Sequence, residues 1–203
     1  MTILLADPRV RAIPVCDNGD PLVPLSFARG VRVRTGLAVR LHEARDALPP
    51  GVDFRVVEGH RSADEQRAII DRYLGELRGH YPEADEIALY KLSSRFVAPL
   101  AVAPHVAGAA VDLTLVNESG AELWMGTPID ATPEQSDGGC WFDADVDRVA
   151  RRNRTTLASA LLSAGLVNYP TEWWHWSYGD RYWALTTGAK HALYGPAELG
   201  VPA

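Results

Sequence analysis

The spacing of hydrophobic positions changes several times along the chain, and each change marks an element. Over residues 36–48, Leu37, Leu41, Ala44 and Leu48 recur at helical spacing, and Pro49, Pro50 and Gly51 stop the run. Residues 53–57 read as a short strand. Ser62 and Glu65 have capping-box spacing, so a helix is expected from Ala63 to about Arg78, with Ile69, Tyr73 and Leu77 on one face. A second helical stretch lies near 83–95, and residues 99–108, with two prolines and a glycine, read as loop. Val111, Leu113 and Leu115 alternate with Asp112 and Thr114, which predicts a strand over 110–116 with one buried face. Gly120 predicts a turn into a second strand around 121–125, forming a hairpin. Residues 143–164 contain a long helix with Gly165 as its C-cap, and 166–169 and 173–178 read as two strands about a turn at Pro170. The first thirty residues, rich in proline and turn formers, are expected to wrap the surface.

Strands that cluster around 110–125 and 166–178, with helices mostly elsewhere, predict an α+β fold with a small central antiparallel sheet flanked by helices. No repeat, low-complexity tract or linker divides the 203 residues, so one domain over 1–203 is expected. A hydrophobic fraction of 47% and a charged fraction of 23% fit an ordinary globular chain. The net charge of −6 is spread along the sequence, which excludes the clustered basic face of a nucleic-acid binder. Cys16 and Cys140 form no metal-type pair and are expected as reduced thiols. The opening MTILLADPRV lacks a basic n-region, and no stretch approaches the ~20 apolar residues of a membrane span. The expectation is a cytoplasmic protein without a membrane partner.

Candidate chemistry sits in two motifs. In PHVAGAAVD, His105 lies in the loop entering a strand and Asp112 lies on it, pointing away from Val111 and Leu113. Gly108 and the alanines leave room for the chain to fold back, so that His105 meets Asp112. In TEWWHW, Glu172 and His175 stand among Trp173, Trp174 and Trp176. Ionisable groups inside an aromatic cluster are costly unless paired or bound to metal. Taken alone, the first motif also reads as a loop histidine and a solvated aspartate, and the second as a packed core strand. Together they supply two imidazoles, an aspartate and a nearby glutamate: three ligands for a catalytic zinc, and a base to take a proton from the attacking water. Arg61, at the end of a strand in VVEGHRS, is placed to stabilise an oxyanion, and reads equally as a surface arginine in a βα loop. His60 ranks below His105 and His175 as a ligand because no acidic partner stands at comparable spacing.

These segments, with MGTPID at 125–130, resemble the D-alanyl-D-alanine dipeptidases, the family that includes the vancomycin-resistance dipeptidase. They belong to a wider group of lysostaphin, D-alanyl-D-alanine and hedgehog-type zinc metallopeptidases. The resemblance covers roughly residues 30–180 and implies a hedgehog/DD-peptidase-like fold. It implies one zinc per chain on His105, Asp112 and His175, Glu172 as general base and Arg61 as the transition-state arginine. It further implies that Asp130 receives the free ammonium of a small dipeptide, and Trp173 is the expected additional substrate contact. The implied reaction is hydrolysis of D-alanyl-D-alanine in cell-wall metabolism; a peptidoglycan D,D-carboxypeptidase or endopeptidase is the alternative. The chain departs from the family pattern at Ala103 and Pro104, where serines often precede the histidine, and at His60 and Ser62, which flank the arginine in place of an aromatic residue and a proline.

Overall fold

The computed structural model describes residues 2–198. Its centre is a four-stranded antiparallel sheet in the order β3 (Val52–Glu58), β4 (Ala110–Asn117), β6 (His175–Ser177), β5 (Val167–Asn168). A separate antiparallel pair, β1 (Leu22–Pro24) and β2 (Arg32–Arg34), lies outside it. The expected α+β architecture is therefore present.

Helices α2 (Thr35–Asp46) and α5 (Arg148–Ser163) set Leu37, Leu41, Leu157 and Leu161 against Phe54, Val111, Leu113 and Leu115 of the sheet, and this forms the main core. Gly165 follows α5 with φ 81°, and its N–H donates to Leu162, as expected of a C-cap glycine. Helix α3 (Ala63–His80) starts at a complete capping box: the Ser62 hydroxyl accepts from the Glu65 N–H, and the Glu65 carboxylate accepts from the Ser62 N–H. Its Ile69, Tyr73 and Leu77 pack with Leu89 of α4 (Glu86–Ser93) and with Val97.

Four expectations are corrected. Strand β4 is buried on both faces, and on its non-core face Asp112 is covered by the cluster described below. The hairpin after Gly120 reduces to a single bridge, Val116 to Glu122. Beyond it the Trp124 indole donates to Asp147 at 2.6 Å and its carbonyl accepts from Asn153 at 2.8 Å, drawing the chain towards α5 instead of along β4. The N-terminal segment does more than wrap. Asp7 caps a short helix α1 (Pro8–Ala12) with proline at its first position, and Leu5 and Val10 are buried against Val102, Tyr169 and Tyr182. Finally, Trp173 and Trp174 belong to a turn rather than to a strand.

After β6, Asp180 caps α6 (Arg181–Thr187) by accepting from the N–H groups of Tyr182 and Trp183. Cys16 is exposed, Cys140 is buried, and both are free thiols. No helix among the described residues is long and apolar enough to cross a membrane.

Candidate metal centre

Sheet register brings the polar cluster together. Asp112 on β4 stands directly opposite His175 on β6 and Glu58 on β3. The row Glu58–Asp112–His175 thus crosses three strands on one face. Glu58 reaches that face through a β-bulge: Val56 pairs with Leu113 and Glu58 with Asp112, so Val57 is the additional residue.

His105 arrives from a tight loop. Gly108 has φ 64°, and a Cβ there would meet Leu22 at 2.3 Å, so the residue that reverses the chain must be glycine. The reversal is closed by the Gly108 N–H donating to His105 at 2.9 Å. The N–H of Arg61 also donates to the His105 carbonyl, at 3.2 Å, tying the two motifs to one another.

The three buried side chains converge. His105 Nε2 lies 3.2 Å from His175 Nδ1 and 3.3 Å from Asp112 Oδ2, and His175 Nδ1 lies 3.0 Å from Asp112 Oδ1. Ligand atoms on a tetrahedral zinc, with bonds of roughly 2.0–2.1 Å, stand about 3.3 Å from one another. The His105–His175 edge matches that spacing, the carboxylate meets the two imidazoles through different oxygens, and one ligand atom from each residue lies within 4.8 Å of the others. His105 Nδ1 sits 2.7 Å from the Gly59 carbonyl, a bond in which it donates. That leaves Nε2 as the bare lone pair facing the cluster, the usual outer hydrogen bond of a metal-ligating histidine. Two imidazole nitrogens and one carboxylate oxygen are a donor set that suits zinc and leaves a fourth position open.

Glu172 Oε2 approaches His175 Nδ1 at 3.7 Å. Burial, followed by the negative charges of Asp112 and Asp130, pushes its carboxyl well above the ordinary range. Asp112 goes the other way: burial raises it, but the charge and hydrogen bonds of His105 and His175 in their protonated form outweigh burial and lower it. Adjacent carboxyls driven apart in this way are a mark of acid–base sites.

A cleft of about 250 Å³ opens over the cluster and is lined by all the polar residues above. That is below the roughly 300–1,000 Å³ of ordinary ligand pockets, which restricts it to a small ligand. Asp130 stands at its rim, with φ 62°. Burial of the carboxyl by its surroundings, with Asp112 and Glu58 nearby, pushes Asp130 up to about 6. Arg61 also lines the cleft, gripped by Glu58: Nε donates to Oε1 at 2.7 Å and Nη2 donates to Oε2, while Nη1 donates to Gln66 at 2.9 Å.

Trp173 is a correction. It is buried beneath the cleft, where its indole donates to the Thr127 hydroxyl at 2.8 Å, and Trp174 is the tryptophan that lines the cleft. His60 is outside the cluster and contacts the Ala197 carbonyl at 2.9 Å. Sequence reasoning missed Glu58 and Gln66. A carboxylate three positions before Arg61, at a strand end, is the signal that points to the first.

A family model described as D-Ala-D-Ala dipeptidase matches residues 81–191, a span that includes His105, Asp112, Asp130, Glu172 and His175 but not Arg61. A D-alanyl-D-alanine dipeptidase of Synechocystis is 29% identical, covering 92% of this chain and 96% of the relative. The Escherichia coli D-alanyl-D-alanine dipeptidase is 38% identical over 71 residues, 35% of each chain. Among solved structures, VanYB in complex with D-alanine-D-alanine matches with a TM-score of 0.53 at 18% identity over 86% of each chain, a likeness in fold. With the family model spanning more than half of its length, this chain belongs to the D-Ala-D-Ala dipeptidase family of metallopeptidases.

Proposed function

We propose that the protein is a zinc-dependent dipeptidase that hydrolyses D-alanyl-D-alanine to two D-alanines in cell-wall precursor or fragment metabolism. In this reading the chain acts as one domain in the cytoplasm. The observation that carries it is the convergence of His105, Asp112 and His175 at zinc-ligand spacing, with Glu172 beside them, in a cleft small enough for a dipeptide.

His105 Nε2, Asp112 and His175 Nδ1 hold the metal. When bound, zinc supplies Lewis acidity towards the amide carbonyl and lowers the pKa of a water to about 7. Glu172 takes a proton from the attacking water and delivers it to the departing amine nitrogen. The carboxyl must be ionised before it can accept that proton, and a divalent cation among these residues pulls its raised pKa back down. Arg61 commits three N–H groups to Glu58 and Gln66, which leaves two of its five for the developing oxyanion. Asp130 receives the substrate ammonium, a charge-assisted contact that selects a free N-terminus. Trp174 supplies the aromatic wall expected of Trp173.

Metal analysis combined with a panel of D,D, L,D and L,L dipeptides tests the reading. One zinc per chain, cleavage of D-alanyl-D-alanine and its loss on chelation are expected. Undiminished cleavage after the metal is removed, or no cleavage of the D,D dipeptide by the zinc-loaded protein, rejects it. The same chemistry on a longer stem peptide has one feature in its favour, since the cleft extends along α3 to Tyr73 and Glu76. Robust hydrolysis of an N-acylated D-alanyl-D-alanine would decide for that alternative.

A further inference from the structure

Arg154 on α5 is completely buried and has no carboxylate partner among the described residues. Its guanidinium instead donates to backbone carbonyls: Nε to Met125 at 2.7 Å, Nη2 to Gly139 at 2.8 Å, and Nη1 to Trp141 and to Phe142, the latter at 3.1 Å. Burial, with Arg151 nearby, pushes its pKa down to about 10, so it remains charged at neutral pH. A buried cation without a counter-ion is costly unless oriented dipoles replace its water. The carbonyls do so here, and they come from the two ends of one irregular segment.

That segment, residues 126–138, carries Asp130, Thr132 and Gln135 into the cleft. Arg154 closes it by joining Met125 on one side to Gly139, Trp141 and Phe142 on the other. The entry is shaped to fit: Gly126 has φ 94°, and a Cβ there would approach Arg154 Nη2 at 3.3 Å and Val146 at 2.7 Å. Trp173, stacked 5.8 Å from the Arg154 guanidinium, adds its bond to Thr127. Asp130 itself accepts no hydrogen bond from the described residues, so the backbone of the closed segment, with φ 62° at this residue, is what places its side chain at the cleft.

We propose that Arg154 is a positioning residue for Asp130: from within the core it holds the closed loop that presents the ammonium-binding carboxylate. This rests on the role given to Asp130 above. Misplacing a substrate-binding group by an ångström costs of order a hundredfold. Arg154 therefore governs selection of a free N-terminus while touching neither substrate nor metal.

The test compares the zinc-loaded wild type with Arg154→Lys, Thr127→Val and Asp130→Asn. Each is assayed with D-alanyl-D-alanine and its N-acetyl form, and its zinc content and amide hydrogen exchange over 126–138 are measured. Arg154→Lys keeps the charge but reaches fewer carbonyls. It is expected to speed exchange in the segment and raise KM for the free dipeptide about tenfold to a hundredfold. Zinc content, and kcat/KM for the acetylated form, are expected to stay within about twofold of wild type. An unchanged KM, or equal losses on both substrates, overturns the proposal. If Arg154→Lys does not fold, Thr127→Val, which cuts only the Trp173 tie, is expected to give a smaller rise with the same selectivity, and an unchanged KM there overturns it. A wild type that does not prefer the free dipeptide, or an Asp130→Asn variant that keeps the preference, defeats the Asp130 reading itself. Loss of preference in Asp130→Asn alone defeats only the role of Arg154.

Discussion

The two halves of the cleft are held by different physics. Asp112, His175 and Glu58 sit on three adjacent strands, where pairing fixes each side chain opposite the next. Asp130 sits on a segment without regular structure, pinned from outside by Arg154, by Trp173 and, through its own Glu134, by Tyr73, Tyr81 and Arg95. Glu134 accepts from the Tyr73 hydroxyl at 2.7 Å and the Tyr81 hydroxyl at 3.1 Å, and pairs with Arg95, which ties the segment to the α3–α4 side. The difference separates tasks. In the proposed reading, Asp112 and His175 are fixed by strand pairing, His105, Glu172 and Arg61 stand in short connections that enter or leave those strands, and recognition of the substrate terminus falls to a longer segment whose geometry can be adjusted from outside.

This division predicts that variants at the strand-anchored cluster alter metal content or kcat and that variants of the 126–138 segment alter KM. The largest effect is expected for Asp112→Asn, which should lose both zinc and hydrolysis; zinc retained at one equivalent with normal turnover would break the comparison at its centre. Glu172→Gln should keep its zinc and lose kcat by about 10²–10⁴-fold, the usual worth of a positioned base. In Asp130→Asn, KM for the free dipeptide should rise about tenfold or more while kcat changes less, since a charge-assisted contact is lost without disturbing the sheet. A fall in kcat alone would place Asp130 with the chemistry instead.

The pH dependence sharpens the same point. In its proposed role Asp130 would bind an ammonium only when ionised, and burial with Asp112 and Glu58 nearby pushes its pKa up to about 6. KM for the free dipeptide should therefore rise as pH falls through about 6, and this limb should vanish in Asp130→Asn. The smallest effect is expected for Glu134→Gln, a loss of roughly 1–3 kcal/mol in stability, read as a lowered unfolding midpoint with zinc content unchanged.

The strand-borne half was legible in the sequence and the loop-borne half only in part. Alternation around Asp112 and the aromatic setting of His175 are local patterns, and local patterns report which face a residue takes. The meeting of His105 with both needed only a glycine that could reverse the chain. What stayed hidden depends on contacts between distant segments. Helical spacing puts Arg154 on the face of Ala150, Leu157 and Leu161, but it does not say what a buried arginine meets there, because its partners are carbonyls and carry no residue type. Trp173 and Trp174 are adjacent and identical, and only the turn decides which one faces the cleft. Helix α1 was overlooked although Asp7–Pro8 is a good cap and first-turn pair, because its five residues are too few for a visible period.

The bulge on β3 has a consequence for how this site tolerates change. Val57 is about half exposed, at 48%, so many side chains should be accepted there. What matters there is the bulge itself. If β3 paired with β4 without it, Val57 would stand opposite Asp112 and Glu58 would turn to the other face, away from the row it shares with Asp112 and His175 and from the arginine it clasps. Removing Val57 would instead leave the glutamate next to Val56 and still opposite Asp112, so a straightened strand of full length, and not a shortened one, is the change that disarms the arginine.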